Sequence, residues 1–322
     1  MSDSSRLDHG RLIRQALDEG AGARSALAAS WIRSLKQYGL DPMDRGQVET
    51  VTSRELNEAR EKSEALLRVS GPVLDRLYQA VGGIGCCVLL NSVDGVPIER
   101  RGAPADDVQF KLWGLWPGAV WSEASEGTNA IGTALAEKAP VIVHRDQHFF
   151  ARNTGLSCVA HPLFGHDGHL IGVLDVSSCR SDATASLTAL ITAAVADAVR
   201  LIEAQLFRQA YSDARIVLAG EAADRNPSAL LAVDRYDLVI GASRAARKAL
   251  RITDAQLASQ LPASTFLSAG AEKPDLVDAE RGAVRRALAQ AGGNVSAAAR
   301  SLNISRATLH RKMNRLGLKA AV

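Results

Sequence analysis

The chain has 322 residues, 47% hydrophobic and 23% charged, with a formal net charge of +3. The length admits two or three domains at roughly 100–200 residues each, and the composition excludes a wholly disordered chain or a coat of one charge sign. The start, MSDSSRLDHGRLIRQ, has no apolar run of a secretory signal, the most apolar window (187–202) is interrupted by Asp197 and Arg200, and four cysteines are too few for a disulfide scaffold, so a reducing cytoplasm and no membrane are expected.

In chain order, residues 11–80 read as mostly helical, broken at Gly39 and Pro42, with Thr52 or Ser53 as the next cap and Gly82-Gly83 as the end. Cys86–Leu90, the turn Asp94-Gly95 and Val96–Ile98 predict a β-hairpin. EGTNAIGTALAE (126–137) predicts a helix, 141–144 a strand, and the apolar runs 157–164 and 169–176 a second hairpin around Gly165–Gly168. Residues 84–178 are therefore expected to be α+β, an antiparallel sheet with helices on one side. Over 182–212, Leu187, Ile191, Val195, Ala198, Ile202 and Leu206 recur at steps of three or four. That stripe predicts one long helix, packed on a partner helix of the same chain or of a second copy.

Residues 228–261 read strand, turn, strand and helix, too short for an independent domain of normal size; PASTFLSAGAEK (262–273) reads as a linker. The last unit carries the clearest pattern. Residues 274–322 hold nine Lys/Arg against three acids, leaving 1–273 slightly acidic. A helix over 275–291, with Leu276, Val284 and Leu288 inward, ends at Gly292-Gly293. A short helix from Asn294-Val295-Ser296 and a turn at Leu302–Ser305 lead to a helix over 306–316 with Leu309, Met313 and Leu316 buried. That is helix-turn-helix spacing. Ser305, Arg306, Thr308 and His310 suit base edges in a major groove, and Arg311, Lys312 and Arg315 suit phosphates.

GGNVSAAARSLNISRATLHRKMNRLGL resembles the Fis-type helix-turn-helix that ends many bacterial enhancer-binding activators. The resemblance implies dimeric binding to two-fold-related sites in double-stranded DNA. SWIRSLKQYGLDP, GAVWSEASEGTNAIGTALAE, HFFARNTGLSC and DGHLIGVLDVSS resemble the sensor region of activators of the acetoin/glycerol catabolism type. This second resemblance implies a GAF-like domain, an antiparallel sheet with helices, whose cavity accepts a small-molecule effector. Trp113, Trp116 and Trp121, with Phe149 and Phe150, concentrate the aromatics a small-ligand cavity uses. The expected ligand residues are Trp116, Trp121, Glu123, Thr128, Asn129, His148, Phe149, Phe150, Cys158 and His161. The last stands where the resembled proteins have a small residue.

The resulting architecture is an α+β GAF-like sensor, a long helix and an all-α DNA-binding domain. Its expected parts are an N-terminal helical region packing on the sensor (1–80), the sensor (81–180), a signalling and dimerisation helix (181–212), a PAS-like fragment or linker (225–270) and the helix-turn-helix (274–322). None of the 26 glycines is followed by lysine, so the phosphate loop of the resembled activators' ATPase has no counterpart here, and neither does ATP-driven opening of sigma-54 polymerase. His144, His148, Cys158 and His161 have metal-ligand types but mixed strand and loop positions, and the Cys86-Cys87 neighbours alternate across a strand. No metal, cofactor or catalytic residue is expected. The reading is a ligand-responsive regulator, a homodimer on DNA, with RNA polymerase as a further candidate partner. The alternative is a ligand-blind architectural or repressor protein whose sensor module only dimerises.

Overall fold

Alternating burial organises the first of two compact units, Met1–Leu267 and Ser268–Val322, in a computed structural model that describes residues 9–15, 25–180, 184–219, 227–267 and 276–318. Strands β1 (Cys86–Asn91), β2 (Pro97–Arg101), β3 (Val141–His144), β4 (Ser157–Phe164) and β5 (Leu170–Ser178) form an antiparallel sheet in the order β2-β1-β5-β4-β3. Both expected hairpins form, with Leu90 opposite Glu99 and Leu163 opposite Gly172. Successive side chains leave a strand on opposite faces. Cys86, Val88 and Leu90 thus enter one core, and Cys87 and Leu89 the other. Helices cover both faces, which corrects the expectation of one; an unbroken apolar run such as Cys86–Leu90 is what a strand buried on both sides requires.

Helix α1 (Ala26–Ile32) runs into a π-helical turn at Arg33–Gln37. Thr52 caps α2 (Ser53–Lys62) in a capping box, its N–H donating to the Glu55 carboxylate at 2.7 Å. One face of the sheet is covered by α3 (Glu64–Val81) and the other by α4 (Ala130–Glu137). The helix predicted over 126–137 is interrupted after a single turn at Glu123–Glu126. There Gly127 adopts φ 60°, ψ −154°, a region open essentially to glycine alone, and an added Cβ would lie 2.5 Å from the Phe149 ring.

The predicted long helix is α5 (Ala185–Ala210). It is long and apolar enough to cross a membrane by length and composition, but Ile191, Val195, Ala198, Ile202 and Leu206 lie in the core between the sheet and α3. The stripe read as a possible intersubunit seam is therefore occupied within the subunit. Further along, Ala204 and Phe207 pack instead on a second antiparallel sheet, β6 (Arg215–Leu218), β7 (Leu230–Val233) and β8 (Val239–Ala242), in the order β6-β7-β8. One helix thus joins two cores. The small sheet's other face is covered by α6 (Arg244–Leu250) and by turns at Asp254–Ala258 and Ser264–Leu267. Ala263 is buried and Phe266 packs beside it, so the segment read as linker from Pro262 belongs to this core as far as Leu267. The rest of it lies outside the described residues.

In the second unit, α7 (Leu276–Gln290), α8 (Val295–Ser301) and α9 (Arg306–Arg315) enclose Val284, Ala287, Ala298, Ala299, Leu309, Met313 and Leu316. Gly292 and Gly293, both at positive φ, end α7, and the Asn294 side chain caps α8. Leu276, expected to face inward, is 86% exposed, because the apolar packing of α7 begins at Val284, two turns on.

Candidate effector site and nucleic-acid interface

Two buried carboxylates fasten the sensor's separate motifs to one another. Glu123 accepts the Arg33 guanidinium at 2.7 and 2.9 Å and the Ser30 hydroxyl at 2.5 Å; Ser30 also meets the hydroxyls of Thr128 (2.8 Å) and Thr133 (3.1 Å). Arg33 reaches Glu137 as well, at 2.8 Å. Its hydrogen bond to Glu123 raises its already high pKa further. Glu126 accepts from Arg152 (2.8 Å) and Asn153 (2.9 Å), which fixes the turn after Phe149-Phe150. Burial nevertheless raises the Glu126 pKa above the ordinary range. SWIRSL, SEASEGTNA and HFFARN therefore meet in space through charge-assisted hydrogen bonds.

On β4 and β5, and reaching the segment after β3, lies a buried polar chain. Asp175 is fully buried; its Oδ2 lies 2.6 Å from Ser177 Oγ, and its Oδ1 has no partner. Ser177 Oγ is 3.1 Å from Cys158 Sγ, which is 3.7 Å from His148 Nε2. His148 Nδ1 donates to the Arg145 carbonyl at 3.0 Å, leaving Nε2 to accept the thiol hydrogen. Burial pushes Asp175 up to about 7 and His148 down to about 4, so the imidazole is neutral at pH 7. It also drives the Cys87 and Cys158 thiols well above their usual range, which disfavours thiolate chemistry.

A cleft of about 620 Å³ opens beside this face. Its walls come from the Gly46–Thr50 segment, the end of a short helix (Asp107–Leu112) with the segment that follows it to Ala119, and Arg152 and Asn153. Trp113 and Trp116 stand in it. Arg100 and Lys111 lie over the Trp116 ring at 4.5 and 4.2 Å from its centroid.

The ten expected ligand residues thus separate rather than line one cavity. Trp116 alone lines the cleft. Trp121 is buried beneath it and donates Nε1–H to the Gly114 carbonyl at 2.8 Å. Glu123 and Thr128 hold α1, and Asn129 caps α4 through Gly132 N–H at 2.8 Å. Phe149 and Phe150 pack against Ile13 and Trp31 under the N-terminal helices. Cys158 and His148 belong to the polar chain, whereas His161 points to the opposite face, toward Arg200, as strand alternation from Cys158 requires. His144 is engaged by Ser157 at 2.8 Å, so the four possible metal ligands do not converge. The sequence reading missed Ser30, Arg33, Lys111, Arg152 and Asp175. Only Asp175 left a signal: an acid at an inward position of an otherwise apolar strand.

In the second unit Ser305 caps α9, accepting from Thr308 N–H at 3.0 Å, so both residues shape the helix start. Arg306, His310 and Arg311 are exposed along one side with Asn314, which the sequence reading did not select. Lys312 and Arg315 both pair with Glu280 of α7. Those hydrogen bonds hold the Glu280 carboxyl below its usual range. Two of the three predicted phosphate contacts are thus partly neutralised from within the unit.

These modules define the class: a GAF domain matches residues 65–202, and the bacterial regulatory protein Fis family matches 276–316. The acetoin catabolism regulatory protein of Cupriavidus necator is 35% identical over 221 residues, 68% of this chain and 33% of that protein. The acetoin dehydrogenase operon transcriptional activator AcoR of Bacillus subtilis is 29% identical over 195 residues, 61% of this chain and 32% of that protein. In the crystal structure of the Escherichia coli DhaR(N)–DhaL complex, the matching chain shares the fold at a TM-score of 0.50 with 18% identity, over 71% of this chain and 76% of that one. The matched region spans about a third of those two regulators' length. The chain thus carries a GAF match and a Fis-type helix-turn-helix match, and over two thirds of its length it is similar to an acetoin catabolism regulatory protein.

Proposed function

We propose that the chain is an effector-responsive transcription regulator of the cytoplasm, binding specific double-stranded DNA as a homodimer. One observation carries this reading: a GAF domain with an open, aromatic-walled cleft shares the chain with a helix-turn-helix whose Arg306, His310, Arg311 and Asn314 form an exposed polar side. Such a side suits base edges, with cations at its flanks for phosphate. Dimerisation is assigned to the outward side of α5, where Ala189, Leu190 and Ala193 are exposed and Leu190 is 69% accessible. The effector would favour one arrangement of the helix pair and so set the spacing of two recognition helices about one DNA turn apart. Activation would further require contact with RNA polymerase.

The test is to map binding on genomic DNA across a salt series. Discrete two-fold sites that persist as salt rises are expected. Diffuse binding with a steep salt slope would overturn the reading in favour of an architectural protein.

A further inference from the structure

We infer that the cleft between Trp113 and Trp116 binds a small organic monoanion, a carboxylate on an apolar or aromatic body, with Lys111 as its charge partner. This rests on the sensing role proposed above and names the chemistry of its ligand.

The argument begins with charge. None of the residues lining the cleft is acidic; two cations, Lys111 and Arg152, line it, and Arg100 lies over the Trp116 ring. Arg100 is paired with Asp107 at 2.8 Å, and Arg152 with Glu126 at 2.8 Å. Among the described residues Lys111 has no carboxylate partner; its ammonium lies over the Trp116 ring. Glu49, between lining residues Val48 and Thr50, is engaged by the Ser125 hydroxyl at 3.3 Å. Lys111 is therefore the lining cation that, among the described residues, has no carboxylate partner, which suits a single negative charge.

Unspent donors give the second, independent observation. Trp113 Nε1 and Arg152 Nε, both on lining residues, are buried without a hydrogen-bond partner, as are Nε and Nη2 of Arg100, whose guanidinium lies over the Trp116 ring outside the lining. Buried donors are nearly always satisfied. The two on lining residues, both donors, favour an acceptor-rich group, and a carboxylate offers two oxygens with about four lone-pair sites. The volume and two indole walls favour a carbon body over a bare inorganic ion. Trp116, already flanked by Arg100 and Lys111, supplies a flat apolar surface beside the cation.

The experiment titrates acetate, pyruvate and benzoate, each against its amide, and inorganic phosphate, into the full chain. Tryptophan fluorescence and the melting temperature report binding. Saturable binding of benzoate is expected, with benzamide about tenfold weaker and phosphate without effect. Lys111→Gln should weaken benzoate about tenfold and leave benzamide unchanged, whereas Lys36→Gln, exposed elsewhere, should change neither. Equal affinity for benzoate and benzamide, or an unaltered Lys111→Gln variant, overturns the anion assignment while leaving a sensor for neutral ligands. Saturable phosphate binding overturns the requirement for a carbon body. Absence of saturable binding by every carboxylate overturns the inference altogether. Benzoate binding that leaves DNA affinity and footprint unchanged keeps the site and removes its sensing role.

Discussion

Replacing Asp175 by Asn tests the buried polar chain at its most strained member. The carboxyl is fully buried, has one hydrogen-bond partner in Ser177 and leaves Oδ1 unpaired. Burial raises its pKa from the ordinary 3.8 to about 7. Each pKa unit corresponds to about 1.4 kcal/mol, so the two protonation states differ by about 4 kcal/mol in their effect on folding. The folded carboxyl keeps its proton to higher pH than the unfolded one. Its contribution is therefore fully present below pH 4 and is lost as pH rises toward 7. Asn keeps the shape and a neutral amide, and does not titrate. The variant should match its parent near pH 4 and exceed it by up to about 4 kcal/mol at pH 8. Urea unfolding followed by tryptophan fluorescence measures this selectively, because Trp31, Trp113, Trp116 and Trp121 all lie in the first unit. Glu203, half-buried and likewise raised to about 7, titrates in both proteins and cancels in the difference. A stability difference that stays constant from pH 4 to 8 would refute the reasoning.

Arg33→Ala leaves the Glu123 carboxylate, 3% exposed, without its cation, and should cost about 3–5 kcal/mol, read as lost hydrogen-exchange protection in α1. Gly127→Ala forces a strained backbone and a clash with Phe149 at once; a loss of at least about 3 kcal/mol by thermal melting is expected. Leu190→Asp should yield monomers in sedimentation, with weakened binding to two-fold sites; an intact dimer would place the interface elsewhere. Arg306→Ala should lose about 1–3 kcal/mol on the preferred site and relax specificity there. Glu280→Gln frees Lys312 and Arg315, so affinity should rise on all sequences and the salt slope should steepen by one to two; an unchanged slope would mean these cations already reach phosphate despite Glu280.

Periodicity alone determined much of this molecule. Leu309, Met313 and Leu316 fall at i, i+4 and i+7, a local spacing that only a helix can place on one face, and the structure buries all three. Alternation likewise separated Cys86 from Cys87, which enter different cores. Long-range pairing was not legible in the same way. Glu123 reads as a polar residue beside tryptophans, and nothing local shows that its partners, Ser30 and Arg33, lie some ninety residues earlier. The apolar stripe of α5 was plain, but whether it met a second subunit or its own sheet depended on what else needed covering, and the sheet's uncovered face took it. Lys312 and Arg315 read as free phosphate contacts until α7 brought Glu280 across the bundle. A sequence fixes which face of an element is apolar because that depends on neighbours three or four residues away. Which buried charge meets which is decided only when the fold brings distant segments together, since the cost of leaving either one unpaired arises only there.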